Sequence, residues 1–126
     1  MGRRKDEPAD EPYVKRKVHG WYERHNAFSW APVSNGFGVH GIPDRVGCVP
    51  VVVTPEMVGK TIGLFVAVES KGEHRKTQKN GGLSPNQLDR RREILDASGM
   101  WAVSYDASAP EELDEMLEEI LNGRHN

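Results

Sequence analysis

The sequence contains one cysteine, Cys48, in 126 residues. A single thiol excludes an internal disulfide and any cysteine-rich zinc site, and its place in an apolar run predicts a small core residue. No apolar run approaches the length a bilayer demands, so no membrane partner is expected. The charged opening Met1-Gly2-Arg3-Arg4-Lys5-Asp6 has no apolar stretch behind it. It predicts no secretory signal, and the lone thiol fits an intracellular, reducing, cytoplasmic setting. Internal repeats are absent. Neither charge dominates: 17 Lys and Arg against 19 Asp and Glu leave a formal net charge of -2. Taken as an average, that balance argues against a general nucleic-acid binder.

The average conceals segregation. Lys71, Arg75, Lys76, Lys79 and then Arg90, Arg91 and Arg92 bunch mid-chain, whereas Glu111, Glu112, Asp114, Glu115, Glu118 and Glu119 crowd the tail. A basic block beside a carboxylate site suits an enzyme acting on a polyanion, although it also fits a solvated loop and helix face. With 37% hydrophobic and 29% charged residues the chain reads as an ordinary globular protein. Its length predicts a single domain over residues 11–126 behind a flexible tail over 1–10.

The first helix is expected to start near Pro12, with Val14, Val18, Trp21, Tyr22 and His25 as its stripe. Ala27 to Ala31 alternates like a short strand. Gly36 to Gly41 spells GxGxxG, but the following Ile42-Pro43 forces extended backbone where a dinucleotide site needs a helix. Gly59-Lys60-Thr61 lacks the upstream glycine of a phosphate-binding loop, since position 54 is Thr54. No nucleotide cofactor is therefore expected. The apolar runs Val46 to Val53 and Ile62 to Val68 predict two strands, and residues 72–82 a loop. Ser84-Pro85-Asn86-Gln87 has the spacing of a capping box, and Gly99 is a natural stop. Trp101, Val103 and Tyr105 predict a last strand. Ser108 to Glu111 repeats the capping pattern ahead of a terminal helix striped by Leu113, Met116, Leu117, Ile120 and Leu121. The order is helix, three strands, helix, strand, helix: an α/β sandwich.

Two stretches carry chemistry. In Phe65 to Lys71 an apolar strand ends in Glu69-Ser70-Lys71, and period-two alternation puts Glu69 and Lys71 on one face. In Gly41-Ile42-Pro43-Asp44 a turn leads into the run from Val46. If those runs pair as a hairpin, Asp44 lies beside Glu69. Two carboxylates and a lysine then form the parts of a hard-cation site with an adjacent ammonium.

Pro43-Asp44 followed by Glu69-Ser70-Lys71 resembles the PD-(D/E)xK nuclease motif. Further matches resemble its small VRR-NUC branch, common in bacteriophages. They are Glu11 before the first helix, Asn35-Gly36-Phe37-Gly38, Gly41-Ile42-Pro43-Asp44, and Leu83-Ser84-Pro85-Asn86-Gln87. The likeness covers roughly residues 11–105. It implies a restriction-endonuclease-like αβββαβ core with a mixed four-stranded sheet flanked by helices, here followed by a C-terminal helix. It implies a Mg²⁺-dependent DNA endonuclease, with Mn²⁺ as substitute, acting on branched or structured DNA in repair or recombination. Holliday junctions and flaps are the substrates in view. The metal ligands would be Asp44, Glu69, the Ser70 carbonyl and Glu11, with Glu7 and Glu23 as weaker acidic candidates. Catalysis would rest on Glu11, Asp44, Glu69, Lys71 and Gln87. DNA would meet Arg75, Lys76 and Lys79, and along the first helix Lys15 and Arg16. His40 sits near the expected site. Ser70 replaces the apolar residue usual in the family. Stand-alone members of this branch tend to self-associate, so a homodimer is expected. The rival reading is a nuclease fold without catalysis, serving as a DNA-binding or assembly module.

Overall fold

The computed structural model describes residues 8–33, 41 and 43–124. The tail from Met1 to Glu7, the run from Asn35 to Gly38, His40 and Ile42 lie outside the described residues. The elements are α1 (Glu11–Arg24), β1 (Phe28–Trp30), β2 (Val46–Cys48), β3 (Val66–Ser70), α2 (Pro85–Asp96), β4 (Met100–Ser104) and α3 (Ala109–Leu121). Short 3₁₀ turns lie at Pro55–Met57, Glu73–Arg75 and Lys79–Gly82. The order matches the sequence pattern. No described helix is long and apolar enough to cross a membrane. The chain divides into two compact units, Met1–Pro50 and Val51–Asn126.

In the first unit, α1 starts where the Asp10 carboxylate accepts the Tyr13 N–H at 3.0 Å. Glu11 in the first turn complements the positive end of the helix dipole. The helix ends at His25, whose ring lies 4.4 Å from that of Trp21, and Asn26 turns the chain with φ at 54°. Strands β1 and β2 pair antiparallel, with Ser29 opposite Gly47. A side chain at Gly47 would strike the Phe28 carbonyl, the Ser29 Cβ and the Tyr22 ring, so glycine is what lets β1 and Tyr22 of α1 close on β2. Cys48 ends β2 buried and outside any disulfide, its pKa pushed up by burial.

The strand expected from Val46 to Val53 stops at Cys48. Pro50 has no N–H for a ladder, and Val51, Val52 and Val53 beyond it are exposed. The second expected strand is likewise shorter, beginning at Val66 after Gly63 interrupts the run.

In the second unit, β3 and β4 pair parallel through five positions, from Val66 opposite Met100 to Ser70 opposite Ser104. Parallel strands require a crossover, and α2 supplies it. Ser84 and Gln87 close the expected capping box: Ser84 Oγ accepts from the Gln87 N–H at 3.1 Å, and Gln87 Oε1 from the Ser84 N–H at 2.9 Å. Ile94 is buried on the helix, as are Met100 and Ala102 on β4. Helices α2 and α3 both contact β4. Strand β3 keeps Val66 and Val68 exposed, although its apolar run predicts a buried strand. The second capping box is not formed. Ser108 makes no cap bond; its hydroxyl turns to the carboxylates of Asp106 and Glu112. Bonds from the Ser108 hydroxyl and N–H, with the nearby Lys76 charge, hold the Asp106 carboxyl below its ordinary range.

The described residues thus form a mixed α/β structure with three α-helices, one antiparallel pair and one parallel pair of strands. No four-stranded sheet is present among them, and because β2 pairs with β1 and β3 with β4, the hairpin expected of the two apolar runs is not formed.

Candidate active site

Strand β3 delivers Glu69 and Lys71 to its C-terminal end. Both are half-buried, while the intervening Ser70 is exposed, as period-two alternation requires. The Lys71 N–H donates to the Ser104 carbonyl at 2.9 Å, extending the ladder one residue beyond the strand. Its side chain is only 12% exposed, and its ammonium lies 3.8 Å from Glu69 Oε1.

A second donor reaches the same oxygen. Gln87 Nε2 donates to Glu69 Oε1 at 2.9 Å. Gln87 therefore does two jobs at once: its carbonyl oxygen closes the helix cap and its amide nitrogen holds Glu69. The two bonds fix the amide orientation, because Ser84 N–H needs an acceptor and the carboxylate needs a donor. Both contacts to Glu69 fall on Oε1, which leaves Oε2 as a donor for a hard cation.

Lys71 and Gln87 also border a cavity of about 520 Å³, walled by Arg75, Gln78, Lys79 and the start of α2. Its loop is far from slack. Arg75 donates through Nη2 to the Gly82 carbonyl at 2.8 Å and through Nε to Gln78. Tyr105 donates its hydroxyl to the Gly81 carbonyl at 2.8 Å. Gly81 has φ at +64°, and any Cβ there would collide with the Tyr105 hydroxyl. The expected loop 72–82 is thus two tight turns locked onto β4's extension.

The basic block separates into engaged and open cations. Arg75 is committed to the loop. Arg90 pairs with Glu93 at 3.0 Å, Arg92 with Asp89 at 3.6 Å, and Arg91 lies over the Trp101 ring. Lys76 sits within the field of Asp106. Lys79 is exposed at the cavity wall and makes no ion pair among the described residues.

The other expected site residues lie in the first unit. Asp44 is exposed at a bend, and Glu11 is exposed and paired with Lys15 at 3.5 Å. Both carboxylates border one cavity of about 490 Å³, together with Lys15 and Arg16. Arg16 also lies 5.9 Å from the Tyr13 ring. Glu23 is exposed near the far end of α1.

Two further residues at this cavity escaped the sequence reading, His19 and Arg45. His19 follows Glu11 and Lys15 at four-residue steps, so helical spacing alone marks it. Arg45 carried no such signal: its guanidinium is set by a 2.9 Å bond to Ser29 Oγ on β1.

The expected ligand set therefore falls into two pairs, Glu11 with Asp44 and Glu69 with Ser70, each within its own unit. No group of three or more His, Cys, Asp or Glu side chains gathers among the described residues. Magnesium retains several waters, so carboxylate pairs of this kind suit it better than they suit zinc. No family model, curated protein or solved structure matches the chain.

Proposed function

We propose that the chain is a Mg²⁺-dependent endodeoxyribonuclease of the PD-(D/E)xK type, resembling the VRR-NUC branch. The observation that carries the reading is the triangle of Glu69, Lys71 and Gln87. A half-buried carboxylate with one oxygen open, a largely buried ammonium and a basic cavity converge at one strand end. An ordinary surface ion pair contributes little and has no reason to recruit a third side chain from a helix start. The parallel β3–α2–β4 unit and the antiparallel β1–β2 pair are pieces a four-stranded αβββαβ core would contain.

In this reading Glu69, Asp44, the Ser70 carbonyl and Glu11 would be the ligands of the ion, which would supply charge stabilisation at the phosphoryl oxygens. Lys71, held by Glu69, would orient the attacking water, help take its proton, or stabilise the charge that develops on the phosphate. Gln87, by holding Glu69 Oε1, would leave the other carboxylate oxygen to the ion. Lys79 and Lys76, with Lys15 and Arg16 on α1, attract the DNA backbone. A homodimer would offer two such centres, as cutting both strands of a junction requires.

The test is incubation with linear and branched DNA, with and without Mg²⁺. Cleavage leaving 5′-phosphate ends in Mg²⁺ or Mn²⁺, and binding without turnover in Ca²⁺, is the expected result. DNA binding with no cleavage in either metal would favour the non-catalytic module instead. Neither binding nor cleavage would remove the nucleic-acid assignment altogether.

A further inference from the structure

The cavity of the first unit holds more than the two carboxylates that metal binding would use. Val14 and Val18 lie one turn apart on α1, and with Ala31 and Pro43 they give it an apolar floor. Both valines remain more than 40% exposed, so the floor is open to a ligand. Lys15 and His19, also four residues apart, stand beside the floor on the same helix. Arg45 faces the cavity from the segment before β2, its guanidinium set in advance by Ser29.

The charges decide what kind of ligand fits. Lys15, Arg16 and Arg45 bring three positive charges against the two negative charges of Glu11 and Asp44, leaving the lining positive before any metal binds. An apolar floor edged by cations matches a group with a flat apolar body and an anionic tail. A nucleotide has that form. A base inside a duplex is stacked and paired, and its face cannot reach a protein floor without leaving the helix. The volume, about 490 Å³, lies within the range of small-ligand pockets.

We propose that this cavity takes one unpaired nucleotide of the substrate strand, its base on Val14, Val18, Ala31 and Pro43 and its phosphate on Lys15, His19 and Arg45. The inference rests on the nuclease reading for the identity of the polyanion, and it gives that reading a substrate class. DNA with an unpaired nucleotide beside the cleavage point is preferred over blunt duplex.

The experiment measures binding of a short oligothymidylate to the full chain in EDTA, where no cleavage step enters. An abasic deoxyribose-phosphate chain of equal length and a blunt duplex are the comparisons. The oligothymidylate is expected to bind about tenfold more tightly than the abasic chain. Arg45→Gln and His19→Asn, each verified as folded by circular dichroism, are expected to weaken oligothymidylate binding several-fold. Equal affinity for the oligothymidylate and the abasic chain would overturn the proposal, because the floor would then contribute nothing. So would folded variants of both residues that bind as the parent does. The two readings separate cleanly. A protein that prefers oligothymidylate but never cuts DNA in Mg²⁺ keeps the pocket and loses the nuclease. One that cuts duplex in Mg²⁺ without the preference does the reverse.

Discussion

Glu69 and Asp44, the two acids that the nuclease reading assigns to one ion, are held in different ways. Glu69 ends a strand whose register is set by five paired positions, and two side chains converge on one of its oxygens. Asp44 sits exposed at a bend, with no hydrogen bond or ion pair among the described residues. A carboxylate held from two sides is oriented before a ligand arrives. An unheld one must be ordered by the ligand, at a cost in conformational entropy. Glu69 is thus placed by protein contacts, whereas Asp44 has none of this kind among the described residues.

The largest expected effects test that contrast directly. Asp44→Asn and Glu69→Gln are each expected to cut single-turnover cleavage by about a thousandfold or more, roughly 4 kcal/mol in the barrier. DNA binding should hold or tighten, since negative charge is removed near a phosphate. The variants should differ in stability. Glu69→Gln strips the partner from a largely buried Lys71 and is expected to cost about 1 kcal/mol, whereas Asp44→Asn should leave the melting temperature unchanged. Equal melting shifts would erase the contrast, and parent-like cleavage by either variant would sink the assignment at that position.

A second pair of variants contrasts a locked cation with an open one. Arg75→Ala removes charged bonds to Gly82 and Gln78 and is expected to destabilise by about 2 kcal/mol in urea unfolding. Lys79→Ala should not move the unfolding midpoint. It should instead flatten the dependence of DNA affinity on salt, by a slope of about 0.9 for one lost phosphate contact. A stability loss at Lys79, or a flatter slope at Arg75 without destabilisation, would reverse their roles.

The sequence and the structure agree where a signal is local. Pro85 and the Ser84–Gln87 spacing mark the start of α2, because caps are decided within a few residues; at its end the left-handed turn falls on Ser98, one place before the expected Gly99. Glu69 and Lys71 share a face because strands alternate. The readings diverge where one residue competes with a longer pattern. Pro50 ends β2 inside what reads as a continuous apolar run, and Asp106 draws Ser108 away from its cap. Charge clustering alone assigns Arg75 to the DNA. Its bond to a carbonyl seven residues away leaves no trace in composition or period. Gln87 read as either a cap residue or a site residue, because spacing cannot show that its two amide atoms face different partners.

That double role supports the smallest and sharpest prediction. Gln87→Glu keeps an oxygen for the Ser84 N–H and keeps a residue type that closes capping boxes, now with a charge favoured at a helix start. It replaces the Nε2 donor with a second carboxylate oxygen facing Glu69 Oε1. The two acids then compete for Lys71, and Glu69 loses the bond that orients it toward an ion. Melting temperature should change little, while turnover falls by about tenfold, roughly 1.4 kcal/mol in the barrier. Ser84→Ala makes the opposite cut: it removes the Oγ acceptor of the cap, expected to cost about 1 kcal/mol, and leaves the Gln87–Glu69 bond in place. Stability should drop there with turnover retained. Both quantities, measured on the same preparation of each variant, decide the matter. If Gln87→Glu cleaves like the parent, the bond to Glu69 has no catalytic consequence and Gln87 belongs to the helix cap alone.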